Sequence, residues 1–140
     1  MKAVVLTATG FEIGEAPKPT PNEDQVLVRV HACALNRADL GVLSGGQHGS
    51  VGGPGTIPGM EWAGEVVEVG ARVRGIKPGD RMMCSGTRGY AEYVVTDWGR
   101  VMPIPSSSMT FEQATTLPIS IITMHNALMT AGEMRAGETV

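Results

Sequence analysis

Short apolar stretches alternate with glycine- and proline-rich turns over the first hundred residues. The stretch QVLVRVHACAL is the clearest of them. Its even positions, 26 to 32, carry valine and alanine and its odd positions carry mixed residues, the period of two that is typical of a strand with one buried face. The same pattern predicts strands over residues 1–6, 11–17, 62–70, 81–84 and 89–97. Many short strands of this kind favour a mainly β fold, an antiparallel barrel or sandwich.

Helical patterns are confined to one short turn and to the last thirty residues. Asn36 stands where a helical turn begins in NRADLGVLSG. Thr110 and Gln113 have the spacing of a capping box before FEQATTL. Residues 119–131 are predicted to form a helix that ends at Gly132. The buried face of that helix is expected to consist of Ile119, Ile122 and Leu128.

Glycine is unusually frequent, with 19 in the chain, and eight of these fall in residues 41–59. Such a density is typical of a series of turns or a mobile loop, and a lid over a pocket is the alternative. In KPGD, Gly79 supplies the positive φ that a tight turn needs before the strand at residue 81.

Charge and composition narrow the functional classes. The chain has 140 residues, 42% of them hydrophobic, and a net charge of −3 with scattered Lys and Arg, so a nucleic-acid partner is not expected. The apolar runs are too short for a signal peptide or a membrane span. Cys33 and Cys84 are far apart, which favours a reducing, cytoplasmic location over a disulfide framework.

The last residues of the sequence have the pattern of a strand that has only begun. Residues 135–137 predict a turn, and residues 138–140 read as the first positions of a strand. A buried strand rarely ends there, because its backbone groups would lack partners. We therefore expect the sequence to be part of a longer protein.

Five stretches, covering nearly the whole chain, together resemble the medium-chain dehydrogenase/reductase superfamily. In order they are MKAVVL, VLVRVHACALNRADL, PGMEWAGEVVEVGARVRGIKPGDRM, GYAEYV and TFEQATTLPISIITMHNAL. The most specific positions are Gly59, Glu61, Gly64, Gly70, Val73, Pro78, Gly79 and Asp80. The resemblance implies a GroES-like, partly open β-barrel over residues 1–118 and, over residues 119–140, the first helix and strand of a Rossmann domain that is otherwise missing.

The resemblance also identifies the branch. Zinc-dependent alcohol dehydrogenases carry metal ligands at three positions that correspond here to Asn36, Met60 and Ile119. An amide, a thioether and an alkyl group do not suit zinc. The sequence is therefore similar to the zinc-free quinone oxidoreductase branch, although Gly41 and Gln47 stand where tyrosines are often found.

By this resemblance the expected function is hydride transfer from NADPH to a quinone, an enone or a similar small-molecule acceptor, without zinc. Asn36 is the candidate catalytic and cofactor-binding residue, because its amide can meet charge on a carbonyl oxygen. Thr123 is the second candidate cofactor contact, through its hydroxyl. Residues 1–140 alone are expected to be inactive, and a homodimer is one expected partner of the full-length protein.

Two other interpretations stay open from the sequence. The chain could be a stand-alone GroES-like module for binding or assembly, or a relative of the zinc enzymes with a degenerate metal site. Zinc held by His31, Cys33 or Cys84 is a further alternative, whereas packing is the simpler role for the first two. Glu61 is expected to be a buried, paired carboxylate, and Trp62 to fill the barrel.

Overall fold

The computed structural model describes residues 1–49 and 51–139. Nine strands and three α-helices follow one another along them. The strands are β1 Lys2–Thr7, β2 Gly10–Glu15, β3 Gln25–Cys33, β4 Gln47–His48, β5 Val51–Gly52, β6 Glu61–Val69, β7 Arg81–Ser85, β8 Tyr93–Asp97 and β9 Val101–Pro103. The helices are α1 Arg37–Leu43, α2 Phe111–Ala114 and α3 Pro118–His125.

A five-stranded antiparallel sheet in the order β8-β3-β6-β7-β9 forms the body of the fold. The hairpin β1–β2 joins it through an isolated bridge between Ala3 and Ala91, next to β8. The strand edges do not close into a full cylinder. The expected mainly β, GroES-like and partly open barrel is thus confirmed.

The main core is built mostly from the strands of this sheet and comprises Val26, Val28, Trp62, Val66, Val73, Met82, Cys84 and Val94. Trp62 is fully buried there, as expected. The alternation predicted for β3 is present, since Arg29 and His31 on the other face are exposed. Leu27 departs from it, because the start of β3 is covered on both faces.

The glycine-rich residues 41–59 contain regular secondary structure and are not one long loop. They begin with the last turn of α1 and continue into the hairpin β4–β5. Val42 and Val51 bury their side chains against Leu6 of β1, which forms a small second core. The segment therefore packs against the barrel at these points. Ser50 lies outside the described residues.

The C-terminal region confirms part of the prediction and corrects the rest. The Thr110–Gln113 capping box is formed, and the predicted long helix is present as α3, followed by a π-helical segment, Asn126–Ala131. The expected buried face is wrong, because Ile122 is 53% exposed and no described part of the chain covers it. Glu138 and Thr139 form no strand; Glu138 closes a turn on Arg135, and Val140 lies outside the described residues.

Among the helices of the described residues, none combines the length and the apolar character needed to cross a membrane.

Candidate functional site

Asn36 lies at the N-terminus of α1, directly after β3, as the sequence predicts. The chain leaves the strand in an extended conformation at Asn36 and then enters the helix. The backbone N–H of Asn36 donates to Asp39 Oδ2 at 2.8 Å. Asp39, three residues into the turn, therefore caps the helix start, a role that the spacing of Asn36 and Asp39 could have indicated.

The side chain of Asn36 is held by a second acid. Its Nδ2 donates to Glu61 Oε2 at 3.2 Å, across from the first residue of β6. The other oxygen, Oε1, accepts the backbone N–H of Ile119 at 2.6 Å. Glu61 is only 3% exposed, so the expectation of a buried carboxylate is confirmed, with two N–H donors rather than a cation as its partners.

A cavity of about 590 Å³ opens beside these residues. It brings together Asn36, Met60 and Ile119, the three positions that the resemblance aligns with zinc ligands. The remaining lining residues come from α1, the glycine-rich segment, the end of β7 with the loop after it, and the 3-10 turn Trp98–Arg100. They are Arg37, Ala38, His48, Gly49, Val51, Ser85, Gly86, Thr87 and Arg100.

The donor chemistry of this cavity does not suit zinc. Asn36 Nδ2 already donates to Glu61, Met60 offers a thioether, and Ile119 offers no donor atom in its side chain. Zinc sites are built from thiolate, imidazole and carboxylate ligands. Within residues 1–49 and 51–139, no cluster of three such side chains is positioned to hold a metal ion.

The cavity has a basic rim. Arg37, Arg100 and His48 line it, whereas no aspartate or glutamate is among its lining residues. All three basic side chains belong to exposed residues. Such a rim favours a ligand with electron-rich oxygens or a negative charge over a cation. Sequence reasoning missed Arg100, which comes from a 3-10 turn, Trp98–Arg100, more than sixty positions from Arg37 in the chain.

Thr123, the second candidate contact, lies on the exposed surface of α3. It is not among the residues that line the cavity. It stands one helical turn after Ile119, however, and residues four apart share one side of a helix. Thr123 therefore shares one side of α3 with Ile119, which lines the cavity.

Asp39 and Tyr90 are neighbouring polar side chains close to the start of α1. Asp39 is 1% exposed, and its Oδ1 finds no hydrogen-bond partner in the described part of the chain. Burial raises the pKa of the Tyr90 phenol, and the neighbouring Asp39 carboxylate adds to that rise. The Tyr90 hydroxyl donates to the carbonyl oxygen of Ala34 at 3.4 Å. The two side chains thus support the backbone from which Asn36 projects.

Two of the three alternative metal residues, His31 and Cys84, are used in packing. The ring of His31 stacks on Phe111 of α2, with centroids 4.4 Å apart and an interplanar angle of 12°. Cys33 is exposed and Cys84 is buried, and both are free thiols. Burial raises the pKa of Cys84 to about 11, which disfavours the thiolate that a metal would need.

A second, apolar groove of about 590 Å³ runs along the outer side of β1, β2 and β3. Phe11, Ile13 and Leu35 line it, and their side chains are 57%, 78% and 80% exposed. This groove is lined mostly by apolar side chains, whereas the Asn36 cavity has a basic rim.

Comparisons with known proteins identify the family of the sequence. The sequence family described as the alcohol dehydrogenase GroES-like domain matches residues 22–106. A quinone oxidoreductase of Mus musculus is 36% identical over 124 residues, which are 87% of this chain and 37% of that protein. The chain therefore spans little more than a third of the length of this relative.

Solved structures share the fold. The crystal structure of the human synaptic vesicle membrane protein VAT-1 homolog-like protein superposes with a TM-score of 0.89 at 32% identity, over 98% of this chain and 45% of that one. The quinone oxidoreductase from Coxiella burnetii gives 0.81 at 26% identity, over 94% and 45%. The chain belongs to the alcohol dehydrogenase GroES-like domain family of the medium-chain dehydrogenase/reductase superfamily.

Proposed function

We propose that this chain forms the substrate side of an NAD(P)H-dependent oxidoreductase that reduces a quinone, an enone or a similar activated acceptor without catalytic zinc. One observation carries the proposal: Asn36, Met60 and Ile119 line one cavity and together lack the donor atoms for zinc. The similarity to quinone oxidoreductases supports the same reaction class.

Asn36 has the central chemical role in this proposal. Reduction of a carbonyl-conjugated acceptor places negative charge on an oxygen, which must be met by a positive charge or a hydrogen-bond donor. Only one of the two N–H bonds of Asn36 Nδ2 is needed for the bond to Glu61, so the other can be offered to the acceptor. Arg37 and Arg100 on the rim favour the same electron-rich ligand.

The cofactor NADPH, when bound, supplies the hydride. On this proposal Asn36 and Thr123 contact its nicotinamide end, and a Rossmann domain that begins at residues 119–140 holds the remainder. Residues 1–118 then form the substrate side. We infer a homodimer as the full-length assembly and a cytoplasmic location, which the two free thiols support.

Steady-state kinetics of the polypeptide that carries this chain with its cofactor-binding domain tests the proposal. Asn36→Ala is expected to lower kcat for quinone reduction by about a hundredfold, the effect of losing one oxyanion donor. Asn22→Ala, at a turn outside the cavity, is the control and should change kcat little. An Asn36→Ala protein with unchanged kcat, or stoichiometric zinc in the dialysed wild type, would refute the mechanism.

The second candidate function is a binding or assembly module. The apolar groove lined by Phe11, Ile13 and Leu35 is the observation that favours it. The same assay separates the two functions. A polypeptide that binds NADPH and consumes it with a panel of quinones and enones is an enzyme, and one that consumes none under any of these conditions supports the binding role.

A further inference from the structure

Glu61 is a buried acid with no cation beside it. It is 3% exposed, and no lysine, arginine or histidine of the described residues lies within ion-pair distance of its carboxylate. Burying a carboxylate is costly unless hydrogen bonds replace the lost water. Here the replacements come from two distant parts of the chain, Asn36 Nδ2 and the backbone N–H of Ile119.

The bond to Asn36 decides how its carboxamide is turned. The two ends of a carboxamide differ, since the nitrogen donates and the oxygen accepts, and a rotation of 180° about the last bond exchanges them. A carboxylate offers acceptors, so Glu61 selects the nitrogen end for itself. The backbone of Asn36 is fixed independently by Asp39 Oδ2. Rotation of the side chain is thereby restricted to one orientation.

The bond to Ile119 extends this control to α3. Ile119 is the second residue of that helix, and its side chain lines the same cavity as Asn36. One carboxylate therefore joins the start of β6, the start of α1 and the start of α3. The two proposed nicotinamide contacts, Asn36 and Thr123, lie on two of these three elements.

Resting on the function proposed above, we propose that Glu61 is the positioning residue of the reaction. It turns the Asn36 carboxamide so that one N–H faces the acceptor, and it holds α3 at a fixed distance from Asn36. It does not touch the substrate and transfers no proton. Its effect on kcat passes through Asn36, whereas its hold on α3 bears on how the cofactor is bound.

A double-mutant cycle on kcat tests this in the polypeptide that carries the chain with its cofactor-binding domain. Glu61→Gln keeps the size of the side chain but loses one acceptor, and it places an amide nitrogen among N–H donors. We expect it to lower kcat by roughly tenfold to a hundredfold, as small misplacements of reacting groups do, with a smaller change in KM for the quinone. In an Asn36→Ala background, the same substitution should lower kcat no further.

The outcomes separate this inference from the function on which it rests. If Asn36→Ala leaves kcat unchanged, the proposed function fails. If Asn36→Ala lowers kcat and Glu61→Gln lowers it again by the same factor, Glu61 acts independently of Asn36 and the positioning role is wrong. Glu65→Gln, on the same strand and paired at the surface with Arg29, is the matched control and should keep kcat.

A measurement on the unmodified protein covers the case in which Glu61→Gln does not fold. The crystal structure of the wild-type polypeptide with NADPH should retain the Asn36 Nδ2 to Glu61 hydrogen bond, with the remaining N–H directed into the cavity. An Asn36 side chain that leaves Glu61 in that complex would overturn the inference.

Discussion

Gly64 of β6 and Arg29 of β3 lie so close that a Cβ added to Gly64 would stand 2.1 Å from the carbonyl oxygen of Arg29. The paired strands are irregular here, with a shift of register between Val30 and Ala32. Backbone atoms, rather than the end of a flexible side chain, occupy the position of the added Cβ. Neither strand can therefore move away without breaking the pairing between them. The glycine is required for the central strands of the sheet to pair.

We therefore expect Gly64→Ala to destabilise the protein by about 3 kcal/mol, the upper range for overpacking a well-packed interior. Thermal or urea unfolding followed by circular dichroism measures the loss. Gly41→Ala is the matched control, because Gly41 lies in α1 with no atom near the position of the new Cβ. It should stabilise by up to about 1 kcal/mol, since alanine favours a helix. Equal effects at the two sites would contradict this explanation.

The glycine pattern shows what a sequence can reveal and what it cannot. Gly79 could be assigned to a turn because the local residues KPGD suffice, and the structure gives it a φ of +92°. The reason for Gly64 could not be derived, because Arg29 approaches it from another strand. Gly59 combines both causes, with a φ of +101° and atoms of Tyr90 only 2.6 Å from the position that a Cβ would take.

In the candidate site, too, features set by nearby residues could be predicted and contacts between distant residues could not. Asn36 as a helix start and Glu61 as a buried carboxylate were predictable from nearby residues. Their contact was not, because 25 residues separate them, and Ile119 lies 58 residues from Glu61. The buried face predicted for α3 failed for a related reason, since periodicity identifies an apolar face but not whether anything covers it.

The turn at Asp80 should make stability depend on pH. Lys77 lowers the pKa of Asp80, first by the bond from its Nζ and then by its backbone N–H. A lowered folded pKa stabilises the protein above the unfolded value, which is 3.8, and this stabilisation is lost as the pH falls through the folded value. Asp80→Asn should cost less than about 1 kcal/mol near neutral pH, because the ion pair is exposed.

The difference between wild type and Asp80→Asn should shrink below pH 3.8. Urea unfolding at several pH values measures it. Glu68→Gln is the control, because Glu68 is an exposed acid of β6 with no ion pair among the described residues. A difference that stays constant into acid would show that the charge of Asp80 is not its cause.

The two cysteines should differ in reactivity. Cys84 is fully buried and its pKa is raised to about 11, so at pH 8 about one thiol in a thousand is ionised. Cys33 is exposed, although burial of part of its surface and the charge of Asp39 raise its pKa too. We expect one thiol per chain to react with a disulfide reagent in the native state and the second only after unfolding.

The raised pKa of the Cys84 thiol also predicts that the protein loses stability at alkaline pH. A folded pKa above the unfolded value of 9.0 stabilises the protein below pH 9.0, and this contribution disappears as the pH rises toward about 11. Cys84→Ser removes the titration, so its unfolding free energy should fall less steeply over that range. Two reactive thiols in the folded protein, or identical alkaline profiles, would refute the buried and neutral state of Cys84.

The three positions that the resemblance aligns with zinc ligands allow the proposal of a zinc-free site to be tested in reverse. Because Asn36, Met60 and Ile119 line one cavity, thiolate and imidazole donors placed there should converge. The triple variant Asn36→Cys, Met60→His and Ile119→Cys is expected to retain about one zinc ion per chain after dialysis, measured by elemental analysis. The bond from the Ile119 backbone to Glu61 does not involve the replaced side chain, so the start of α3 should remain in place.

The single variant Met60→His is the control, because it supplies only one ligand and should retain no zinc. A triple variant that folds but binds no zinc would mean that these positions are not close enough to form a metal site. The residue types at positions 36, 60 and 119 would then say nothing about whether the wild-type protein binds zinc.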